Sequence, residues 1–281
     1  MICKFCGTDA TLTREHIFGQ WLRDYFRSDG QNEYLRRQIT FDADETHARP
    51  GPNFDLVVRD YCGVCNNGWM HGLETSVQPI LGRMLTGARR VITAVEQHTL
   101  ATWATKTMLT VQGFNLGDAS LFNDDQCRWF GRHQTPLYGS HVWLLHFSGT
   151  FGSAGTTEQR ILLHEWGMTV TTPDQPPPQE GDPLNAFQVV FTIGPVGFWI
   201  LGFDLPEPPP VQVGSDDAHL LIWPAHGRDV VWPPSKSLDT EAELAALART
   251  VPNGSKILGA PEVPVFTASQ LSDAAKTGRR P

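Results

Sequence analysis

The chain is poor in cysteine, with 5 in 281 residues, at positions 3, 6, 62, 65 and 127. No basic stretch leads into an apolar segment at its amino end. Together these argue against a disulfide-stapled secreted domain, and the expected setting is a reducing, cytoplasmic one. A positive balance is also lacking: 22 Lys and Arg stand against 30 Asp and Glu, a net charge of −8. That is not the profile of a protein that coats nucleic acid without regard to sequence. No internal repeat is present, and the stretch "FGSAGTT" from Phe151 lacks the Lys-Ser/Thr of a phosphate-cradling loop. One apolar run, "AFQVVFTIGPVGFWILGF" from Ala186 to Phe203, approaches the length of a bilayer span. The "GPVG" at its centre divides it into two short runs rich in Val, Phe, Ile and Trp, which predicts a hairpin of two buried strands and no membrane partner.

What is present is an ordering of the few cysteines. Cys3-x-x-Cys6 and Cys62-x-x-Cys65 each have the two-residue gap that lets both thiolates of a knuckle face one ion. Two knuckles complete a four-sulfur tetrahedral site suited to structural zinc. A single C-x-x-C reads equally as a redox dithiol or a coincidence, but two such pairs within the first 65 residues of a cysteine-poor chain favour the metal. Cys127, in "FNDDQCRWFGRH", reads as a small core residue on a helix.

Residues 7 to 61 separate the knuckles, far more than a compact zinc ribbon needs, so this stretch is itself folded or carries function. It contains "TREHIF" from Thr13. Directly after the second knuckle, Trp69, Leu73, Val77, Ile80, Leu81 and Met84 recur at helical spacing, with Pro79 placed to kink or divide the helix.

In these residues the sequence resembles the HNH endonucleases, in the four-cysteine branch where a zinc site braces a ββα-metal motif. The pattern is Cys3-x-x-Cys6, then Glu15-His16-Ile17-Phe18, then Cys62-x-x-Cys65-Asn66 with a helix after it, and it covers roughly residues 1–85. The resemblance implies that His16 is the general base and that Glu15, on the opposite side of the same strand, ligates Mg²⁺ or another oxygen-preferring divalent ion. The second ligand comes from the helix, either Asn66 at the family position or His71, four residues after Asn67 and on its face. Asn53 is the stand-in for the family's central Asn, and Gly19 stands where the commoner pattern has proline. The implied partner is nucleic acid, with DNA the first expectation. A homodimer would turn single-strand nicks into double-strand cuts.

The charge follows this division. Residues 1–110 hold 12 Lys and Arg against 12 Asp and Glu, so the acidity lies beyond the motif. A phosphate-facing cluster would draw on Arg14, Arg23, Arg27, Arg36, Arg37, Arg83, Arg89 and Arg90. From Glu96, "EQHTLATWATKTMLTVQGF" predicts a second amphipathic helix that docks on the first. Beyond Tyr138, strand-like runs alternate with proline-rich breaks, and "DTEAELAALART" predicts a late helix capped by Asp239 or Thr240. His141 and His146 fall on opposite faces of one such strand. The expected fold is α+β: a zinc-braced, treble-clef-like ββα-metal module over residues 1–90, a helical connector over 91–135, and a mainly antiparallel β-rich region over 136–281. Two other functions fit the same residues: a non-catalytic four-cysteine module that binds nucleic acid or protein, and a regulatory sensor acting through the C-terminal region.

Overall fold

The apolar run from Ala186 to Phe203 folds as two strands, Ala186–Ile193 and Val196–Phe203, paired antiparallel with Ile193 opposite Val196 and Ala186 opposite Phe203. Gly194 makes the turn at φ +55°, a left-handed conformation that costs glycine nothing sterically. Every residue of both strands is buried, because the hairpin lies inside a seven-stranded sheet covered on both faces. Among the described residues no helix is long and apolar enough to cross a membrane.

The computed structural model describes residues 1–26, 33–39, 44–50, 56–113, 121–149, 161–168, 185–208, 211–212, 218–247 and 256–257. Its first strands are β1 (Leu12–His16), β2 (Glu33–Ile39), β3 (Asp44–Pro50) and β4 (Val57–Cys62), with a 3-10 helix (Gln20–Tyr25) after β1. There follow α1 (Gly63–Cys65), a π-helical turn (Asn66–Met70), α2 (His71–Leu85), β5 (Arg90–Ile92), α3 (Ala94–Gln112) and α4 (Asp124–His133). The remainder is β6 (His141–His146), β7 (Ile161–Met168), β8 (Ala186–Ile193), β9 (Val196–Phe203), β10 (Val211–Gln212), β11 (His219–Trp223), β12 (Val230–Trp232), α5 (Glu241–Leu247) and β13 (Lys256–Ile257). The α+β class, with a cysteine cluster at the amino end and a β-rich carboxyl region, is the one the sequence led us to expect.

The large sheet runs β11-β6-β9-β8-β7-β2-β3, antiparallel throughout except where β2 lies parallel to β7. The long stretch between the knuckles therefore has a use: its β2–β3 hairpin extends the edge of a sheet otherwise built from residues beyond 140. β1 and β4 form a separate antiparallel pair, with Leu12 opposite Cys62 and His16 opposite Val57. Side chains alternate across the large sheet. Val189, Phe191, Phe198 and Ile200 join the core shared with the amino-terminal region, whereas Val190, Trp199, Leu201 and Phe203 pack with Leu244 of α5 on the other face. His141 stacks on Trp143 and His146 meets Trp232 edge-on, so the two histidines do face opposite ways.

The expectation of an amphipathic second helix needs correction. α3 packs against α2 on one side and the sheet on another, and every residue from Leu100 to Gln112 is buried. Trp103 meets Phe198 at 5.7 Å and Phe191 at 6.4 Å between ring centres. A central helix must satisfy its polar residues internally. Gln97 donates to the carbonyls of Ile92 and Arg228, at 3.0 and 2.7 Å, and Gln112 donates to the buried Glu165 of β7. The start of α3 is a capping box in which Thr93 accepts from the Glu96 N–H and the Glu96 carboxylate accepts from the Thr93 N–H. Thr93→Ala is expected to cost about 1 kcal/mol, read as a lower urea midpoint at unchanged slope.

The other helices follow their sequence signals. α2 runs unbroken through Pro79, whose position is exposed, and the departure from helical geometry falls earlier, at Gly68, with φ −93° and ψ −111°. α4 is capped by Asn123 and α5 by Thr240, which accepts from the Glu243 N–H at 3.2 Å. Gly131 of α4 lies where an added Cβ would strike the Phe5 carbonyl, which lets the helix dock directly on the first knuckle.

Candidate metal centre and candidate active site

The first knuckle is a tight turn. The Gly7 N–H donates to the Cys3 carbonyl at 2.8 Å and the Cys3 N–H to the Thr8 carbonyl at 3.0 Å, with Gly7 at φ +71°. The second knuckle begins at the last residue of β4, and the Lys4 N–H bonds the Asp60 carbonyl at 2.9 Å, which draws the two knuckles together. As a result the sulfurs of Cys3, Cys6, Cys62 and Cys65 all lie within 4.8 Å of one another. None of the cysteines is in a disulfide. An ion about 2.3 Å from four tetrahedral sulfurs spaces them about 3.8 Å apart, and the Cys6 and Cys62 sulfurs stand 3.7 Å apart. The donor set and its spacing thus fit a metal ion of zinc's preferences.

The thiols are not alike. Desolvation pushes Cys3 and Cys65 upward; at Cys6 it is outweighed by the hydrogen bonds of Thr8, Cys3 and Cys62 together, which draw that thiol down to about 6. The buried thiols would release their protons to solvent as the metal binds. Phe5, inside the first knuckle, stacks on Tyr61 with ring centres 4.3 Å apart and touches Trp69 and Phe130, so the cluster rests on an aromatic floor. Cys127 is buried and outside the four-sulfur group, and burial pushes its thiol up to about 11, as befits an inert core residue.

β1 leads away from this centre and ends in Glu15 and His16, with a bulge between Thr13 and Glu15. Glu15 is buried and His16 half-buried. The Gln20 amide nitrogen lies 2.9 Å from His16 Nε2. With its nitrogen so placed the amide donates to Nε2, a pairing that suits the tautomer with its proton on Nδ1. Burial lowers the His16 pKa below its ordinary value; Glu15 opposes that shift, and Arg23, Arg14 and Lys106 reinforce it.

The two alternatives for the helix residue are placed differently. Asn66 lies against β1, its amide donating to Thr13 Oγ1 and to the Arg14 carbonyl, both at 3.0 Å. It ties the second knuckle to the strand that carries Glu15 and His16, and only its Oδ1 has the chemistry of a ligand. His71 is exposed at the first position of α2 and, among the described residues, makes no hydrogen bond to Glu15 or His16. Asn53 and Arg27 lie outside the described residues, and Arg36 and Arg37 are placed only as positions on β2. Arg14, Arg83 and Arg89 are exposed, whereas Arg90 is bound to Glu96 and to the Ile80 carbonyl.

Sequence reasoning missed the partners of Glu15. Lys106, fully buried on α3, places its Nζ 2.7 Å from Glu15 Oε1 and 3.0 Å from Glu74 Oε1 on α2. Burial opposes the charged amine, but the Glu74 and Glu15 carboxylates outweigh it and hold Lys106 ionised, above its ordinary range. Glu74 also accepts from two indoles, Trp103 Nε1 at Oε1 and Trp21 Nε1 at Oε2, both at 2.8 Å. Gly19 lies where an added Cβ would strike both the Trp21 indole and the Glu74 carboxylate, which accounts for the absence of a larger residue there. One signal was available: Lys106 is the only residue with a formal charge between Glu96 and the end of α3. No protein-family model, curated protein or solved structure matches the chain, so the geometry of these residues carries the functional reading.

Proposed function

We propose that the chain is a zinc-braced, metal-dependent endonuclease of the HNH type that hydrolyses phosphodiester bonds of nucleic acid, DNA first among the candidates. The observation that carries this reading is a half-buried His16 next to Glu15, at the end of a strand anchored to the four-cysteine centre. Hydrolysis needs a base to take the proton of the attacking water, and a neutral imidazole suits that role. His16 takes that proton at Nε2 once the attacking water displaces the Gln20 amide, which lies 2.9 Å away. Exposed Arg14, two residues before His16, suits contact with a backbone phosphate.

Glu15, with Asn66 or His71, would hold the divalent ion, which when bound supplies positive charge to the phosphate in the transition state. A carboxylate with the amide oxygen of Asn66 suits a hard cation such as Mg²⁺, and a carboxylate with the imidazole of His71 suits a transition ion such as Ni²⁺. The β-rich region would then recognise substrate, sense a signal or join two subunits. Incubating the full chain with supercoiled plasmid, single-stranded DNA and RNA, in Mg²⁺, Mn²⁺, Ni²⁺ or EDTA, tests the reading. Cleavage of at least one polymer that EDTA stops is expected, and no cleavage in any lane would refute it.

A second reading draws on the internal engagement of Glu15 by Lys106 and of Asn66 by β1. Under it the module is a non-catalytic four-cysteine unit that binds nucleic acid or protein. Binding to a labelled duplex at a Kd insensitive to His16→Ala, with no cleavage, would favour that alternative.

A further inference from the structure

A fully buried ammonium is costly unless its partners are placed well, and a well-packed apolar trio often joins three elements at least as stably. Lys106 nevertheless reaches from the central helix to two carboxylates on two other elements, Glu15 on β1 at 2.7 Å and Glu74 on α2 at 3.0 Å. The second carboxylate is aimed in its turn by Trp21 and Trp103, each donating from 2.8 Å. Gly19 leaves the room that this bonding needs. The indole bonds and the Gly19 clearance hold Glu74, Glu74 holds Lys106, and Lys106 alone reaches the Glu15 carboxylate, one residue before His16.

We propose that Lys106 and Glu74 are positioning residues of the candidate active site: the ammonium fixes the Glu15 carboxylate beside His16 and sets how much negative charge it offers a divalent ion. The inference rests on the hydrolase reading for the role of Glu15. Two carboxylates and one ammonium leave a single negative charge in excess, so each partner tunes the site in an opposite sense. Without the ammonium, Glu15 and Glu74 attract a divalent ion more strongly but Glu15 loses its fixed place. Without the Glu74 charge, Lys106 binds Glu15 alone and competes harder with the ion. A purely structural trio predicts neither sign, since it has no line to the metal.

The test measures Mn²⁺ affinity by calorimetry on the zinc-loaded full chain, as wild type, Lys106→Met, Lys106→Arg and Glu74→Gln, followed by cleavage at saturating Mn²⁺. Lys106→Met is expected to bind Mn²⁺ on the order of tenfold more tightly and Glu74→Gln on the order of tenfold more weakly. Both should cleave at least about tenfold more slowly, while Lys106→Arg, which keeps the charge, should hold an affinity within about twofold of wild type. Should Lys106→Met fail to fold, the weaker binding expected of Glu74→Gln still decides. Affinities that stay within twofold of wild type in both charge-removing variants, or that move in the same direction, would overturn the proposal, as would the absence of Mn²⁺ binding in every protein. Opposed affinity shifts in the two variants, with no cleavage of nucleic acid by wild type, would instead refute the hydrolase reading and leave the positioning of Glu15 standing.

Discussion

Removing the metal from the four-cysteine centre will unfold the region around both knuckles and lower the melting temperature of the whole chain. Three of the four thiols are buried, and no disulfide holds the knuckles together once the ion is gone. Structural zinc contributes on the order of 10 kcal/mol to small metal-braced units, against a total stability of about 5–15 kcal/mol for a typical domain. The effect should not stay local, because the core that contains Cys3, Cys62 and Cys65 is continuous through Leu81 and Trp103 to Phe198 in the sheet. Elemental analysis should give one zinc per chain. Titration with a mercurial in the presence of a chelator should release it in step with the near-ultraviolet dichroism of Trp69 and Tyr61, which share contact with Phe5. A metal-free chain that melts at the same temperature as the loaded one would show that the four sulfurs hold nothing of structural weight.

The second large effect is catalytic. His16→Ala is expected to slow cleavage by about a hundred- to ten-thousand-fold, the range over which a general base contributes. The same substitution should leave zinc content untouched and stability within about 1 kcal/mol. His16 is only half-buried and its side-chain hydrogen bond is to the exposed Gln20. Gln20→Ala should have a smaller effect on rate, since it alters the orientation of the ring and leaves its chemistry intact. Equal rates for wild type and His16→Ala would move the proton transfer elsewhere, whatever the metal requirement.

These expectations draw unequally on sequence and structure. The cysteine spacing was legible because a C-x-x-C knuckle is a local geometry, and two of them leave little choice of partner. The hairpin at Gly194 and the start of α5 at Asp239 or Thr240 were legible for the same reason, their signals lying within a few residues. Long-range pairing left no such trace: nothing in β2 announces that it joins β7 in parallel. The burial of α3 was hidden because helical spacing of Leu100, Trp103 and Met108 reports one apolar face and is silent about the other. The partners of Lys106 could not be read from the sequence, because Glu74 lies 32 residues away on another helix. The departure at Gly19 becomes intelligible only once Trp21 and Glu74 are seen to meet there.

The most direct test of the account is the initial rate at which the zinc-loaded chain nicks supercoiled plasmid in Mg²⁺ or Mn²⁺, run beside His16→Ala and beside wild type in EDTA. The account predicts nicking by wild type that EDTA abolishes and that falls at least about a hundredfold in the variant. Nicking at the same rate by wild type and His16→Ala, or none by a chain shown to hold its zinc on plasmid, single-stranded DNA or RNA, would contradict it.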